Sequence, residues 1–154
     1  MYCLKVILQR VSRAQVTINQ EQTRQIGKGL MVLVGIMEGD EKQQAEFLAQ
    51  KLVELRVFCD EQDKMNLSLQ DIDGEMLIVS NFTLGADCKK GRRPSYTNCA
   101  RPEKAQALYE YFVQCVRQKG LKNVQTGTFG ADMQVSLIND GPVTIILDTK
   151  EIGK

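Results

Sequence analysis

The chain has 154 residues, a length at which a protein buries a full hydrophobic core and seldom divides into two folded units. Hydrophobic residues make up 43% and charged residues 25% of the chain, which is typical of a soluble globular protein and excludes a disordered or fibrous one. Twenty basic and nineteen acidic residues leave a formal charge of +1, so no global field would draw the molecule to nucleic acid or to an anionic membrane.

The N-terminal part of the chain predicts three strands. Alternating apolar residues predict a hairpin of two strands, Tyr2–Val11 and Gln15–Ile18, joined by a polar corner at residues 12 and 13. The continuous apolar run Gly29–Ile36 predicts a strand that is buried on both faces and central to a sheet. This region lacks both the G-x-G-x-x-G spacing and a P-loop lysine-serine pair, so no nucleotide fold is predicted.

Two helices and a buried strand follow. Residues 40–43 have the form of a capping box, and apolar residues at helical spacing predict a helix over residues 41–57. After a polar loop, the apolar segment Glu75–Leu84 predicts another strand. Pro102 suits the first turn of a second helix, and Gly120 suits its C-terminal stop.

Two or three strands between Lys122 and Asp148 complete the pattern. The element order β-β-β-α-β-α-β-β-(β), without an internal repeat or a low-complexity linker, predicts an α/β fold. We expect one domain over residues 1–154, in which layers of helix and sheet pack together and the strands are mixed in direction.

The residue types that are missing restrict the chemistry. The chain contains no histidine, which excludes a Ser-His-Asp triad, a Cys-His pair and an imidazole-ligated metal, and removes the usual general base. Its five cysteines are odd in number and form no C-x-x-C pair, which argues against a disulfide framework or a zinc site. No segment has the pattern of a membrane span or a signal peptide, so we expect a cytoplasmic protein.

Two neighbouring segments are candidate sites. Polar groups over Ser80–Thr83 end an apolar strand, where a hydroxyl or consecutive backbone N–H groups could act on a substrate. From the pattern alone, ordinary strand-end residues are the favoured interpretation. A basic loop follows, in which cations and a nearby aromatic ring could hold RNA or could simply be solvated. Its four cations are Lys89, Lys90, Arg92 and Arg93.

The third candidate is the interruption of the last apolar segment by Asn139-Asp140-Gly141-Pro142. Proline cannot donate to a strand ladder, and glycine is depleted in strands. The pattern alone therefore favours a tight turn between two antiparallel strands.

Two motifs together resemble those of a known family. Ser80-Asn81-Phe82-Thr83 and Asn139-Asp140-Gly141-Pro142-Val143-Thr144 resemble the signatures S-Q-x-T and N-x-G-P-x-T of the D-aminoacyl-tRNA deacylases. The resemblance covers nearly the whole chain, in order. It extends through VILQRVSRAQVTI, GKGLMVLVGI, KMNLSLQDIDGEMLIVS, KKGRRPSYTN and TGTFGADMQVSLIND.

The resemblance implies a homodimeric, cytoplasmic hydrolase that needs no cofactor. Such an enzyme cleaves the ester that joins a D-amino acid, or glycine, to the 3′ adenosine of tRNA, and so recycles mischarged tRNA. In the family, the Gly-Pro bond of the second motif is cis and projects into the active site of the partner subunit. On this chain that pair is Gly141-Pro142.

The resemblance also assigns roles to individual residues. Ser80, Phe82 and Thr83 would form the catalytic wall, and the four cations of the basic loop would bind tRNA. Substrate binding and chiral selection would involve the following residues: Asn81, Met133, Asn139, Gly141, Pro142 and Thr144. The carbonyls of the Gly-Pro pair would hold the α-ammonium, and its backbone would fill the space that an L side chain needs.

The mechanism implied for the family is assisted by RNA. Without an imidazole, the adenosine 2′-OH beside the ester would help the attack, while Thr83 as a covalent nucleophile is the rival mechanism. Asn81 departs from the family pattern, which has glutamine there, and this puts contacts of that side-chain amide in doubt.

Two other functions compete with this one. In the first, the chain is a non-catalytic RNA-binding module whose basic loop holds tRNA. In the second, it is a general esterase that uses Ser80 or Thr83, and the lack of a base residue makes this the weakest.

Overall fold

The computed structural model describes residues 4–152 of the chain. Its helices are α1 (Lys42–Glu54), α2 (Pro102–Arg117) and the short α3 (Thr149–Ile152). Its strands are β1 (Lys5–Ile18), β2 (Gln22–Ile26), β3 (Gly29–Gly35), β4 (Phe58–Cys59), β5 (Met65–Leu67), β6 (Glu75–Ser80), β7 (Val124–Thr126) and β8 (Met133–Asp148).

β1 is one long strand, so the predicted corner at residues 12 and 13 is wrong. Its first half pairs with β3 and its second half with β2, both antiparallel. Ser12 and Arg13 are exposed at a shift of the β1–β8 register, and such an irregularity places polar residues outward without ending a strand. The hairpin partner of β1 is β2, which was not predicted. The predicted start at Tyr2 lies outside the described residues.

β8 is also continuous in its pairing, so the predicted turn between two paired strands is wrong. Both halves of β8 pair antiparallel with β1, with Thr144 opposite Gln9 and Asn139 opposite Val11. The residues between Asn139 and Thr144 therefore oppose only Arg10. The interruption is a bulged loop at the outer edge of the sheet, since β8 pairs with no other strand within residues 4–152.

The middle of the sheet is parallel, which confirms the mixed sheet that was predicted. β3 pairs with β6 and β6 with β7, both parallel. At the closest point of the first pair, a side chain at Gly29 would overlap the backbone of Glu75, so only glycine fits there. The sheet nearly closes, because Arg24 of β2 donates to the Thr126 carbonyl of β7 at 2.8 Å.

The two faces of the sheet carry two apolar clusters. Alternate residues of β3 point to opposite faces, so Leu30 and Val32 pack under the helices, and Met31 packs inside the curved sheet. α1 and α2 cover the first face with fully buried side chains such as Leu48 and Phe112. The helix-and-sheet layering that was predicted is thus confirmed.

The predicted helices are present, with corrected ends. α1 begins after Glu41, whose N–H donates to the Gln44 side chain at 3.0 Å, and it ends at Glu54. Asp40 is not the cap, because its buried carboxylate accepts from the N–H groups of Leu4 (2.9 Å) and Met37 (2.6 Å). α2 begins at Pro102 as predicted.

The strand predicted to Leu84 stops at Ser80, and a 3-10 turn follows over Phe82–Gly85. The polar loop before the strand contains the unpredicted β4–β5 hairpin. Both are short features. Neither has enough residues for a periodic pattern to indicate it.

Glu75 ties the start of β6 to its neighbours, and this makes stability depend on pH. Its carboxylate accepts from the Asn123 side chain (2.7 Å) and the Gly27 N–H (3.1 Å), and lies 3.9 Å from the Lys122 ammonium. These contacts, the Asn123 hydrogen bond foremost, hold the pKa of Glu75 below its ordinary value of 4.5.

We therefore expect Glu75→Gln to lower the free energy of unfolding by about 1 kcal/mol at pH 7. A depressed folded-state pKa stabilises the fold above the unfolded-state value of 4.5, and this contribution is lost as pH falls through the folded-state pKa. Urea unfolding from pH 7 to pH 3 should show the difference between variant and wild type shrinking on acidification. The exposed Glu61→Gln is the control, and a constant difference would contradict the assignment.

Candidate active site

The Ser80–Thr83 segment lies where β6 leaves the sheet. The Asn81 N–H donates to the Val34 carbonyl at 2.8 Å and ends the strand pairing, after which Phe82–Gly85 forms a single 3-10 turn. The first N–H groups of any such turn have no acceptor within it. Phe82 and Thr83 occupy this position on the surface, and the Phe82 side chain is 58% exposed.

A cleft of about 560 Å³ opens beside this turn. Besides the turn, it is lined by residues around the start of α2 and the β7–β8 connection: Ala100, Pro102, Ala105, Phe129, Gly130 and Ala131. None of these side chains is ionisable, and neither are Ser80, Asn81 and Phe82. The cleft itself therefore offers shape, aromatic surface and hydrogen bonds, but no general base.

Phe129 and Gly130 are site residues that the sequence reasoning missed. Gly130 has φ +77°, which favours glycine and turns the chain at the cleft wall. Tyr109 packs near Phe129, with ring centroids 6.1 Å apart, and donates to the Ile78 carbonyl of β6 at 2.9 Å. Phe129 and Gly130 both lie in the segment TGTFGADMQVSLIND, which resembles the family, but no local motif marked them as site residues.

The Thr83 hydroxyl donates to the Asn81 side-chain oxygen at 2.5 Å. An amide oxygen accepts this hydrogen bond but cannot remove the proton at neutral pH. Asn81 thus holds the hydroxyl without activating it as a nucleophile. The residue that departs from the S-Q-x-T pattern is in direct contact with Thr83.

The basic loop stands next to the turn. Asp87 and Ser95 exchange two backbone hydrogen bonds of 2.8 Å, which close the base of the loop, and all four cations lie exposed on its tip. Beyond the base, the Tyr96 ring meets the Phe82 ring at 5.1 Å, and the Cys99 thiol donates to the Phe82 carbonyl at 3.3 Å. Burial raises the pKa of the Cys99 thiol and keeps it protonated as a donor.

The Gly141–Pro142 peptide bond is cis, as predicted. Gly141 has φ +130°, a backbone conformation that side chains disfavour. Asn139 shapes the loop from within, because its side chain accepts from the Val143 N–H (3.2 Å) and donates to the Thr144 hydroxyl (2.9 Å). Gly141 and Pro142 are both exposed.

Arg10 holds this loop from below and was also missed. Its guanidinium donates to the Asp140 carbonyl at 3.0 Å, lies 3.5 Å from the Asp140 carboxylate, and donates to the Val57 carbonyl at 2.8 Å. The Arg10 side chain is only 11% exposed. The sequence predicted only an ordinary residue of an alternating strand at this position. Arg10 reaches Asp140, which is 130 residues away in sequence, because the register of the β1–β8 pair shifts beside it.

The structure does not bring the two motifs together within one chain. Gly141 of β8 lies beside Arg10 of β1, and Arg10 pairs with Leu30 of β3. Ser80 of β6 pairs with Val34, which lies four residues further along β3. Gly141 and Ser80 are thus separated by four residues along a strand and by the three spacings from β8 to β6, which corresponds to about 20 Å. Met133, at the far end of β8, packs over Gly127 inside the curved sheet and not near the loop.

Other candidates are not assembled into sites. The described cysteines, Cys59, Cys88, Cys99 and Cys115, are free thiols, and no group of three possible metal ligands occurs within residues 4–152. In the same part of the chain, no helix has the length and apolar character needed to cross a membrane.

Comparisons with known proteins agree with this architecture. A family model described as D-Tyr-tRNA(Tyr) deacylase matches residues 7–148. A protein from Flavobacterium johnsoniae named D-aminoacyl-tRNA deacylase is 50% identical over 147 residues, or 96% of this chain and 98% of that protein. One of the same name from Thermosipho africanus is 52% identical over 149 residues, or 97% and 99%.

Two solved structures are also similar. The c-Myc DNA Unwinding Element Binding Protein superposes with a TM-score of 0.87 at 41% identity, covering 93% of this chain and 97% of that one. A probable eukaryotic D-amino acid tRNA deacylase gives a TM-score of 0.80 at 20% identity, covering 95% and 99%. The second likeness supports the fold alone.

Proposed function

The chain belongs to the D-Tyr-tRNA(Tyr) deacylase family of aminoacyl ester hydrolases, and we propose that it hydrolyses the ester between a D-amino acid, or glycine, and the 3′ adenosine of tRNA. The observation that carries the proposal is the segment Ser80–Phe82, which lines a neutral cleft and leads into a loop with four exposed cations. We expect the protein in the cytoplasm, where its tRNA substrate occurs.

The cleft suits the terminal adenosine of the substrate. Phe82 and Phe129 supply aromatic surface at its walls, and Ala100, Ala105 and Ala131 leave room for a base and its ribose. The cations of the basic loop would hold phosphates of the tRNA, and would add affinity but little preference for base identity.

The chemistry would depend on backbone groups and on the substrate. The N–H groups of Phe82 and Thr83 at the start of the 3-10 turn would polarise the ester carbonyl. Since the cleft offers no ionisable side chain and the Thr83 hydroxyl is bound to Asn81, we assign assistance of the attack to the adenosine 2′-OH.

Chiral selection would come from Gly141 and Pro142 of a second subunit. The pair is exposed at an edge strand and about 20 Å from the turn of its own chain, so it would reach a cleft only in a dimer. The exposed side chains of Ile138 (46%) and Ile146 (67%) on the same strand would be buried in such a contact. Two-fold symmetry would complete both sites at once.

The carbonyls of Gly141 and Pro142 would accept hydrogen bonds from the α-ammonium of the substrate. With the Cα fixed, the loop backbone would occupy the position of an L side chain and leave a D side chain in open space. Glycine has no side chain to exclude, which is why it would be accepted. Many D-amino acids would fit for the same reason.

We expect the protein to deacylate D-Tyr-tRNA at least about 100-fold faster than L-Tyr-tRNA, because a steric clash and a lost ammonium contact together cost several kcal/mol. Release of labelled tyrosine from both esters measures this. Equal rates, or cleavage of neither ester, would contradict the proposed function.

We expect Thr83→Val to keep turnover on D-Tyr-tRNA within about tenfold of the wild type, whereas a substrate ending in 2′-deoxyadenosine should lose at least about 100-fold. Single-turnover kinetics on both substrates measures the two effects, with Thr83→Ser as the matched control. A loss of about 10⁴-fold in Thr83→Val with intact substrate binding would instead identify Thr83 as the nucleophile.

The shared site predicts that two inactive variants complement each other. Thr83→Pro removes an N–H of the turn, and Gly141→Val places a side chain against the Arg10 guanidinium at a positive φ. A heterodimer purified through two different tags should regain about half of the wild-type activity per dimer, because one of its two sites receives both intact elements. If each site lay within one chain, the heterodimer would stay inactive.

A further inference from the structure

We propose that Phe82 and Tyr96 form a stacking site for an unpaired nucleotide of the tRNA 3′ end, adjacent to the cleft for the terminal adenosine. The assignment of the cleft rests on the proposed function. The stacking site itself is argued from the exposure of the two rings, from their support and from the charge around them.

The two rings are exposed and touch each other. Phe82 is 58% and Tyr96 40% exposed, and their centroids lie 5.1 Å apart with an interplanar angle of 60°. The other large exposed hydrophobic side chains of residues 4–152 are aliphatic: Met65, Ile138, Ile146 and Ile152. Because the two rings pack against each other, no base fits between them, but each exposed ring leaves a π-face on which a flat base can stack.

The backbone that carries the two rings is held in place before any ligand arrives. The Phe82 backbone is fixed by its 3-10 turn and by the Cys99 thiol, 3.3 Å from its carbonyl. Tyr96 follows directly on the paired Ser95, and its carbonyl accepts from the Cys99 N–H at 3.1 Å. Little backbone entropy would therefore be lost when a base stacks on the rings.

The charge around the rings indicates the class of ligand. The segment from Gly85 to Ala100 contains four cations and one acid, Asp87, for a net charge of 4 − 1 = +3. The Asp87 side chain accepts from the Lys89 N–H and so points back into the loop. Aromatic rings beside exposed cations match the base and phosphate of a single strand, while a duplex keeps its bases stacked internally.

The position of the rings separates this nucleotide from the terminal adenosine. Phe82 lines the cleft, whereas Tyr96 contacts the Phe82 ring but does not line the cleft. A base on Tyr96 would thus precede the adenosine along the strand, on the side of the basic loop. The unpaired nucleotides before the terminal adenosine of tRNA fit this place.

Tyr96→Ala tests the site through the difference between two D-tyrosyl substrates, D-Tyr-tRNA and 3′-D-tyrosyl-adenosine. We expect kcat/KM for D-Tyr-tRNA, divided by kcat/KM for 3′-D-tyrosyl-adenosine, to fall about tenfold. The fall should come from a higher KM for D-Tyr-tRNA, because one stacked base is lost. Tyr96→Phe should keep most of the ratio, and Ile152→Ala, at another exposed apolar residue, should keep all of it. An unchanged ratio in Tyr96→Ala would overturn the proposal.

A binding measurement keeps the test independent of catalysis. Fluorescence anisotropy with a labelled single-stranded RNA ending in CCA should show about tenfold weaker binding for Tyr96→Ala, and no such loss with the same RNA held in a blunt duplex. If the wild type cleaves neither D-tyrosyl ester but Tyr96→Ala still weakens single-strand binding, the proposed function fails and the stacking site stands. Equal binding by wild type and Tyr96→Ala would reject the stacking site.

Discussion

The pairing of β1 with β8 is the constraint on which the rest of the structure depends. β1 has a neighbour on both sides along most of its length, so it transmits its register to β2, β3 and β8 together. Because β8 carries more residues than β1 can match, the surplus between Asn139 and Thr144 is forced outward at one place. Arg10 lies opposite the surplus and satisfies the carbonyl that pairing would otherwise have satisfied.

If the cleft is the active site, as proposed, its lack of ionisable side chains limits what the protein can contribute to catalysis. It can fix positions and present dipoles, and both act without any proton leaving a side chain. Positioned dipoles act only within a narrow range of distances and angles. Contacts around the turn hold it in place: Asn81 with Val34, Phe82 with Cys99, and Thr83 with Asn81. In the proposed mechanism, a rigid backbone would do what a side chain with a shifted pKa does in other hydrolases.

The sequence predicted well those features that repeat with a period. The buried strand near residues 29–36, the helix from Pro102 and the mixed sheet follow from alternation and helical spacing, and they are present. Prediction from the sequence was wrong where the pairing of strands decides whether a strand continues or ends. The β1 corner and the β8 hairpin both looked like strand ends, because polar residues, glycine and proline interrupt the pattern, yet each lies in a strand that continues on the same partner.

Among the candidate site residues, those within local motifs were predicted, and those that act through contacts distant in sequence were not. The resemblance located the turn and the Gly-Pro pair from their local motifs, and the cis bond agrees with it. Arg10 and Phe129 carry no local signal, since each contributes through a neighbour remote in sequence: Asp140 for Arg10, and the Ser80–Phe82 wall of the cleft for Phe129. Contacts over such separations are set by the register of the sheet and by helix packing, which one sequence does not reveal.

The closed base of the basic loop has a consequence for how this surface can change over time. Asp87 and Ser95 join the two arms of the loop by two backbone hydrogen bonds, and this bridge separates the loop tip from the 3-10 turn beside the cleft. Under the proposed function, insertions, deletions or charge changes in the tip would alter the binding of tRNA, while the geometry of the turn stayed the same. The loop tip would thus tolerate changes that the turn would not, although both lie within residues 82–95.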